Sequence, residues 1–310
     1  MKTTILLAAY QGETFLPAQL ASLSGQTARD FSVLYQDDGS TDRTPEILRE
    51  YAQEDSRFRP AGQQGRHLGA AGNFLSLLRQ AEGDLLLLCD QDDLWMPEKV
   101  ARMRAACVSA AANLPEGTPL LVHADAAVID AGGKVLAPSF FRLQGWDPEA
   151  TGLNRLLVQN NATGCMMLLN RPLADLVVRY GRPESMFMHD WFIALTAAAF
   201  GRIVFLPEQL TRYRQHGENV IGASRESLPL RALRILRDRD KARARIALTY
   251  THTRAFQAAF GDALPPEAAE IIQAYLATEK LPRLRRLAAI RRQGCLMQSP
   301  VTRLGQFFFG

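Results

Sequence analysis

Three carboxylates crowd the end of one apolar run, where Asp90-Gln91-Asp92-Asp93 follows Asp84-Leu85-Leu86-Leu87-Leu88-Cys89. Like charges this close repel one another, and the arrangement is costly unless a cation neutralises it. A hard divalent ion such as Mg2+ or Mn2+ prefers carboxylate oxygen and completes its shell with phosphate and water, so an Asp-x-Asp pair on a loop suits a bound diphosphate. The simpler alternative is an exposed acidic turn that caps the next helix. A second acidic group, Asp37-Asp38-Gly39-Ser40-Thr41-Asp42, follows the run Phe31–Gln36. In it Asp42 or Thr41 could do no more than cap a helix.

Two later motifs add a base and a cation. In Met188-His189-Asp190-Trp191, Asp190 opens a predicted helix, where it can serve as an N-cap or as a general base that accepts a proton from a hydroxyl. His189 is the alternative base, with a flanking or orienting role expected, and Trp191 would stack on a ligand or fill the core. In Tyr213-Arg214-Gln215-His216-Gly217-Glu218-Asn219, Arg214 offers a donor fork matched to phosphate, and His216 stands beside it. Gly217 and Gly222 suggest a loop that closes over a ligand, against the plainer reading of a solvated basic loop. Asn160, Asn161 and Thr163-Gly164 precede a strand, where they would face a ligand or form a polar turn.

The elements that must position these groups alternate. Thr3–Ala9 and Phe31–Gln36 are short runs of β formers, each followed by helical spacing, at 14–24 and 44–54. A helix at 71–81, the strand 84–89 and a helix beginning after Pro97 continue the pattern. A parallel sheet covered by helices follows. From Leu120 to Pro138 the runs Leu121-Val122-His123 and Ala127-Val128-Ile129, then Val135-Leu136 beyond Gly132-Gly133, suggest a hairpin-like excursion and a mixed strand order. Strands at Gly164–Leu169 and Arg202–Leu206 and helices at 171–179 and 189–200 complete residues 1–224, and residues 225–310 read as wholly helical, a separate unit or an appended layer. In open α/β sheets ligands bind beyond the carboxyl ends of the strands, which is where the motifs fall.

Composition narrows the classes. A chain of 310 residues with 47% hydrophobic content can bury a large core. Residues 225–310 hold 16 Lys+Arg against 7 Asp+Glu, leaving 20 against 25 for residues 1–224, so the basic excess belongs to the C-terminal part. Arg231, Arg234, Arg237 and Arg245 interleave there with Leu and Ile, and 283–292 is again Arg-rich. Such helices can lie on anionic membrane surfaces or pack on a partner. Nucleic acid is not an expected partner, because neither a recognisable motif nor an aromatic platform accompanies the charge. Four widely spaced cysteines without a CxxC pair or a zinc-ligand cluster indicate free thiols in a reducing, cytoplasmic compartment. The apolar start Ile5–Ala9 reads as a buried strand rather than a leader, and no stretch approaches the roughly 20 apolar residues that cross a bilayer.

Ala8-Ala9-Tyr10-Gln11-Gly12, Asp-Asp-Gly-Ser-Thr-Asp, Asp-Gln-Asp-Asp-Leu-Trp, His-Asp-Trp and Tyr-Arg-Gln-His-Gly-Glu-Asn, taken in order over residues 3–222, resemble the family-2 inverting glycosyltransferases, particularly bacterial rhamnosyltransferase-like members. The resemblance implies a GT-A fold, an α/β Rossmann-like mixed sheet flanked by helices, with a C-terminal helical extension. It implies that Ala8 and Tyr10 line the base pocket, that Asp37 or Asp38 bonds the pyrimidine or its ribose, and that Asp90 and Asp92 form a metal-binding pair for Mg2+ or Mn2+ with Asp92 the preferred ligand. Asp190 becomes the base, and Arg214 and His216 attend the diphosphate. The expected partners are a dTDP-sugar or UDP-sugar donor, dTDP-L-rhamnose first, and a saccharide or lipid-linked saccharide acceptor of a bacterial surface polysaccharide. Peripheral contact with the inner face of the cell membrane would come from the basic C-terminal helices. The competing expectations are a UDP-hexose-dependent transferase and a sugar-nucleotide-binding protein without turnover. A sugar nucleotidyltransferase is disfavoured because the Gly-rich, Arg-containing loop it needs after the first strand is missing.

Overall fold

A computed structural model describes residues 1–62, 65–217 and 237–309. Strands β1 (Thr3–Ala9), β2 (Phe31–Asp37) and β4 (Leu85–Asp90) are the apolar runs of the sequence, and β1 lies between the other two, parallel to both. Their side chains divide by alternation. Leu6, Leu34, Leu86 and Leu88 face one core, shared with α3 (Gly69–Gln80), and Ile5, Leu7, Val33 and Leu87 face another, shared with α1 (Leu16–Ser24). Register pairs Ala9 with Asp37 and Ala8 with Asp90, so the first motif ends between the two acidic loops. Helix α2 (Thr44–Glu54) follows β2, and a short β3 (Phe58–Pro60), absent from the sequence expectation, extends the sheet at that edge.

Beyond β4 the sheet becomes mixed, in the order β3-β2-β1-β4-β8-β6-β9-β5. Helix α4 (Lys99–Ala111) follows the two-residue β5 (Leu94–Trp95). β8 (Met167–Asn170) runs antiparallel to both β4 and β6 (Leu120–Asp130). Gly164–Met166, expected as the start of that strand, is a 3-10 turn. β6 is one continuous strand where two runs were expected, because His123 and Asp125, which interrupt its apolar pattern, are themselves buried. The hairpin to β7 (Val135–Ala137) is present, its turn made possible by Gly133 at φ 87°. β9 (Arg202–Gln215) runs past Leu206 and stays parallel to β6 to its end, absorbing Pro207 and Glu208 where the register slips.

Helices α5 (Phe140–Gln144), α6 (Leu153–Leu156), α7 (Arg171–Tyr180) and α8 (His189–Phe200) lead into β9. The described C-terminal helices are α9 (Arg239–Phe260), α10 (Pro266–Ala277), α11 (Arg283–Gln293) and α12 (Pro300–Phe309). They share a core with the sheet: Tyr250, Phe256, Phe260, Ile272 and Tyr275 join Phe74, Val177 and Phe192 in one buried cluster. The expectations placed on Glu218, Asn219, Gly222, Arg231 and Arg234 lie outside the described residues. Among the described residues no helix is long and apolar enough to cross a membrane.

Candidate active site

The strand ends open into a cleft of about 1030 Å³. Ala8, Tyr10, Asp38, Asp90, Asp92, Asp190 and His216 line it; Asp37 and Arg214 do not. The acidic loop after β2 explains the first exclusion. Asp37 Oδ2 accepts from the backbone N–H of Gly39 and Ser40, both at 3.1 Å, and closes its own turn. Asp38 turns toward α3, accepting from Leu68 N–H at 2.6 Å and Gly69 N–H at 2.9 Å, where backbone donors and the helix dipole favour an anion. His67 Nδ1 stands 3.2 Å from the same carboxylate, and its ring lies 4.8 Å from that of Tyr10. Tyr10 is held by its backbone, which exchanges two 2.6 Å hydrogen bonds with the Gln91 amide. Gln11, left-handed at φ 51°, joins the loops: its N–H donates to Ser40 Oγ, and its side chain bonds Thr41.

The loop after β4 has the opposite character. Burial, then the charges of Asp92, Asp93 and Asp190, holds the Asp90 carboxyl well above the usual carboxylate range. Burial and Asp92 push Asp93 up to about 7, against the opposing pull of Arg214 N–H at 2.9 Å and of Lys99. Burial also lowers Lys99 to about 8; its ammonium donates to Cys165 O and Thr211 Oγ1 and sits 3.7 Å over the Trp95 ring. Asp92 Oδ2 lies 2.8 Å from His216 Nε2. The cluster is short of positive charge, which is the condition a divalent cation relieves. The 2.8 Å hydrogen-bonded contact of Asp92 with His216 also sets a carboxylate oxygen and an imidazole nitrogen side by side, both of them donor types that divalent ions accept. Asp90, Asp93 and Cys165 form a second, more buried group, with ligand atoms within 4.8 Å of one another.

Asp190 sits in the first turn of α8, which starts at His189. Burial raises its carboxyl to about 6, although Trp191 N–H at 2.6 Å and Gly164 N–H donate to it. Trp191 is a core residue at the cleft wall, its indole N–H given to Leu156 O at 2.7 Å. Asn160, Thr163 and Gly164 reach the cleft. Asn161 instead donates to the carbonyls of Asp147, Pro148 and Ala150.

Arg214 stands apart from the closing loop, or the solvated basic loop, expected of its motif. It stands in β9, buried, with its guanidinium on the carbonyls of Asp92 (2.7 Å), Ala131 (2.7 Å) and Asp130 (3.3 Å). It ties the acidic loop to the β6–β7 turn, so its influence on a diphosphate would pass through the carboxylates it positions. Nothing near Arg214 in sequence signals this, because its partners lie more than 80 residues away. Sequence reading also missed His67, Lys99, Phe15, whose ring lies 4.7 Å from that of His216, and the contribution of α9 to the cleft through Arg245, Leu248 and Thr249.

The family model described as glycosyl transferase family 2 matches residues 4–110, which carry both acidic loops. Over that stretch the chain is similar to the family 2 glycosyl transferases. An uncharacterized protein of Mycobacterium tuberculosis is 29% identical over 221 residues, 70% of this chain and 60% of that relative, so the chain spans less than two thirds of it. A dTDP-rhamnosyl transferase of Shigella flexneri is 25% identical over 237 residues, covering 70% of this chain and 74% of its own. Among solved structures, Staphylococcus aureus TarS 1–349 in complex with UDP superposes with a TM-score of 0.57 at 18% identity, over 99% of this chain and 86% of that one. The chain therefore has the GT-A fold, a mixed sheet flanked by helices.

Proposed function

We propose that the chain transfers a sugar from a nucleotide diphosphate sugar to an acceptor hydroxyl, with inversion at the anomeric carbon. Residues 1–224 act as the transferase domain and 225–310 as its helical extension. The observation that carries this reading is the placement of one carboxylate, Asp190, raised to about 6, across the same cleft from the crowded Asp90–Asp93 loop. A base poised near neutrality can take the proton of an attacking hydroxyl. Asp190 does so here, held toward the cleft by the N–H groups of Trp191 and Gly164. Ala8, Tyr10 and Asp38 enclose the nucleotide end, with Asp37 shaping the loop that presents Asp38. Asp92 and His216 would hold Mg2+ or Mn2+ with Asp90 beside them; bound there, the ion supplies positive charge to the departing diphosphate. Arg214 keeps Asp92 and Asp93 in place.

The name of the Shigella relative supports dTDP-L-rhamnose as the first donor to test, and the UDP in the TarS title supports UDP-sugars beside it. A lipid-linked saccharide fits as acceptor, delivered at an anionic membrane face. In support, α11 carries Arg283, Arg285, Arg286, Arg291 and Arg292 without an acid, and its Leu284 is 81% exposed. The deciding experiment incubates the protein with Mn2+ or Mg2+ and a panel of dTDP- and UDP-sugars, with Asp92→Ala and Asp190→Ala alongside. Metal-dependent nucleoside diphosphate release, lost in both variants, supports the transferase. Donor binding without release, in the presence of lipid-linked acceptors, leaves a binding protein.

A further inference from the structure

Most buried polar side chains in this protein are bonded, as burial demands. Among the described residues, those that line the cleft yet carry buried polar atoms without a partner are Asn73, Gln159 and His189. Asn73 Oδ1 is an orphan while the amide nitrogen reaches Gln36 O at 3.4 Å; Gln159 Nε2 is an orphan while its oxygen accepts from Gln298 N–H at 2.9 Å. Both ring nitrogens of His189 are orphans. The three side chains are 2%, 4% and 4% exposed. An unmade hydrogen bond at such depth is destabilising, so three such side chains together indicate partners brought by something else.

The imidazole is held in place by its surroundings. It stacks on Phe74 at 4.1 Å and 26°, next in sequence to Asn73. On its other side Gly164 presses so close that an added Cβ would lie 2.8 Å from Nε2 and 3.7 Å from Asp190 Cβ. Residue 164 is thus restricted to glycine by the ring, while its approach to Asp190 is an ordinary contact. Burial holds His189 neutral, pushed down to about 3, which leaves one ring nitrogen as donor and the other as acceptor. Asn73 adds an acceptor and Gln159 a donor, and none of the three carries charge. Hydroxyls are among the uncharged groups that both give and take hydrogen bonds, and a sugar ring presents several of them at fixed positions.

We infer that Asn73, Gln159 and His189 form a subsite that reads the hydroxyls of an uncharged sugar ring beside Asp190. The inference rests on the transferase reading and deepens it by naming the recognition elements. His189 is then a positioning residue, and its loss acts through the sugar rather than through the nucleotide.

The test uses His189→Phe, which keeps a ring on Phe74 and removes both orphans, with His189→Gln as the conservative partner and Asn73→Leu as an independent change. Melting temperature is measured on the unliganded protein. Calorimetry then compares UDP and dTDP with their nucleotide sugars, and turnover is measured against octyl glycosides. His189→Phe should melt at or above the wild-type temperature and bind free nucleoside diphosphate within twofold. It should weaken nucleotide-sugar binding at least tenfold if the donor sugar sits there, or raise the glycoside KM at least tenfold if the acceptor does. His189→Gln should recover part of either loss. A lower melting temperature with unchanged binding and KM would make the imidazole structural and overturn the inference, as would an equal loss for free diphosphate and nucleotide sugar. A wild-type protein that turns over while His189→Phe and Asn73→Leu match it in every constant overturns this inference alone. A wild-type protein that binds no nucleotide sugar overturns the transferase reading as well.

Discussion

Two acidic loops leave parallel strands on either side of β1, and the protein treats them in opposite ways. Asp37 and Asp38 end with backbone N–H groups on their oxygens, from Gly39 and Ser40 for one and from Leu68 and Gly69 for the other. Asp90, Asp92 and Asp93 crowd one another and Asp190; the donors that reach their carboxylates include one backbone N–H of Arg214 on Asp93 and the His216 ring at Asp92, with Lys99 and Arg214 the buried cations nearby. In the first loop the negative charge is consumed by the scaffold; in the second it is left over. A pair of aspartates after a strand does not by itself announce a cation site. The supply of donors around it decides.

The sharpest way to break this comparison is to neutralise one acid in each place. Asp190→Asn should lower kcat by about 10²–10⁴-fold, the range for a lost general base, while leaving the nucleotide-sugar Kd within a few fold. Turnover that survives would remove Asp190 from the chemistry. Next in size is the response to metal. Mn2+ at about 100 times its Kd should stabilise the wild type by about 2.7 kcal/mol in denaturant titrations, and the gain should vanish in Asp92→Asn but persist in Asp37→Asn. An undiminished gain in Asp92→Asn would move the ion to the deeper Asp90–Asp93–Cys165 group. In the satisfied loop, Asp37→Ala should cost about 1–3 kcal/mol of stability by orphaning the Gly39 and Ser40 N–H groups, with turnover per folded molecule nearly kept. A loss of turnover without loss of stability would give Asp37 a direct role.

The smallest effect is the pH response of the base. Asp190 rises from 3.8 to about 6, so below about 6 it is protonated and kcat/KM should fall tenfold per unit as pH drops, about 1.4 kcal/mol each. Stability should run the other way. The folded state holds this proton more tightly than the unfolded chain, so its contribution is full below about 4 and is lost as pH rises to about 6. A flat kcat/KM profile from pH 5 to 7 would contradict the base assignment.

Much of this architecture is legible in the sequence because it depends on local pattern. The runs Thr3–Ala9, Phe31–Asp37 and Leu85–Asp90 are apolar on both faces, as central parallel strands must be, and the acids at their ends mark the carboxyl edge. The illegible parts depend on partners far along the chain. Which of Asp37 and Asp38 faces the cleft is settled by Leu68 and Gly69 at the head of α3. The continuity of β6 hides behind His123 and Asp125, the latter buried because its carboxylate accepts the N–H of Phe140. Arg214 reads as a phosphate fork because its sequence neighbours are polar, and only the extension of β9 reveals a clamp on three carbonyls.

The cleft has mixed ancestry along the chain. Its reactive groups sit on strand ends and the head of α8, but Arg245, Leu248 and Thr249 of α9 and Thr302 of α12 supply part of its wall. Trp191, one residue from the base, packs its ring 4.5 Å from that of His252 on α9, so the wall is anchored beside the chemistry without belonging to it. Mutations in these helices can therefore explore new substrate shapes while the reaction itself stays untouched. Under the proposed reading, the shape of the cleft and the groups that would react in it are thus carried by separate segments of the chain.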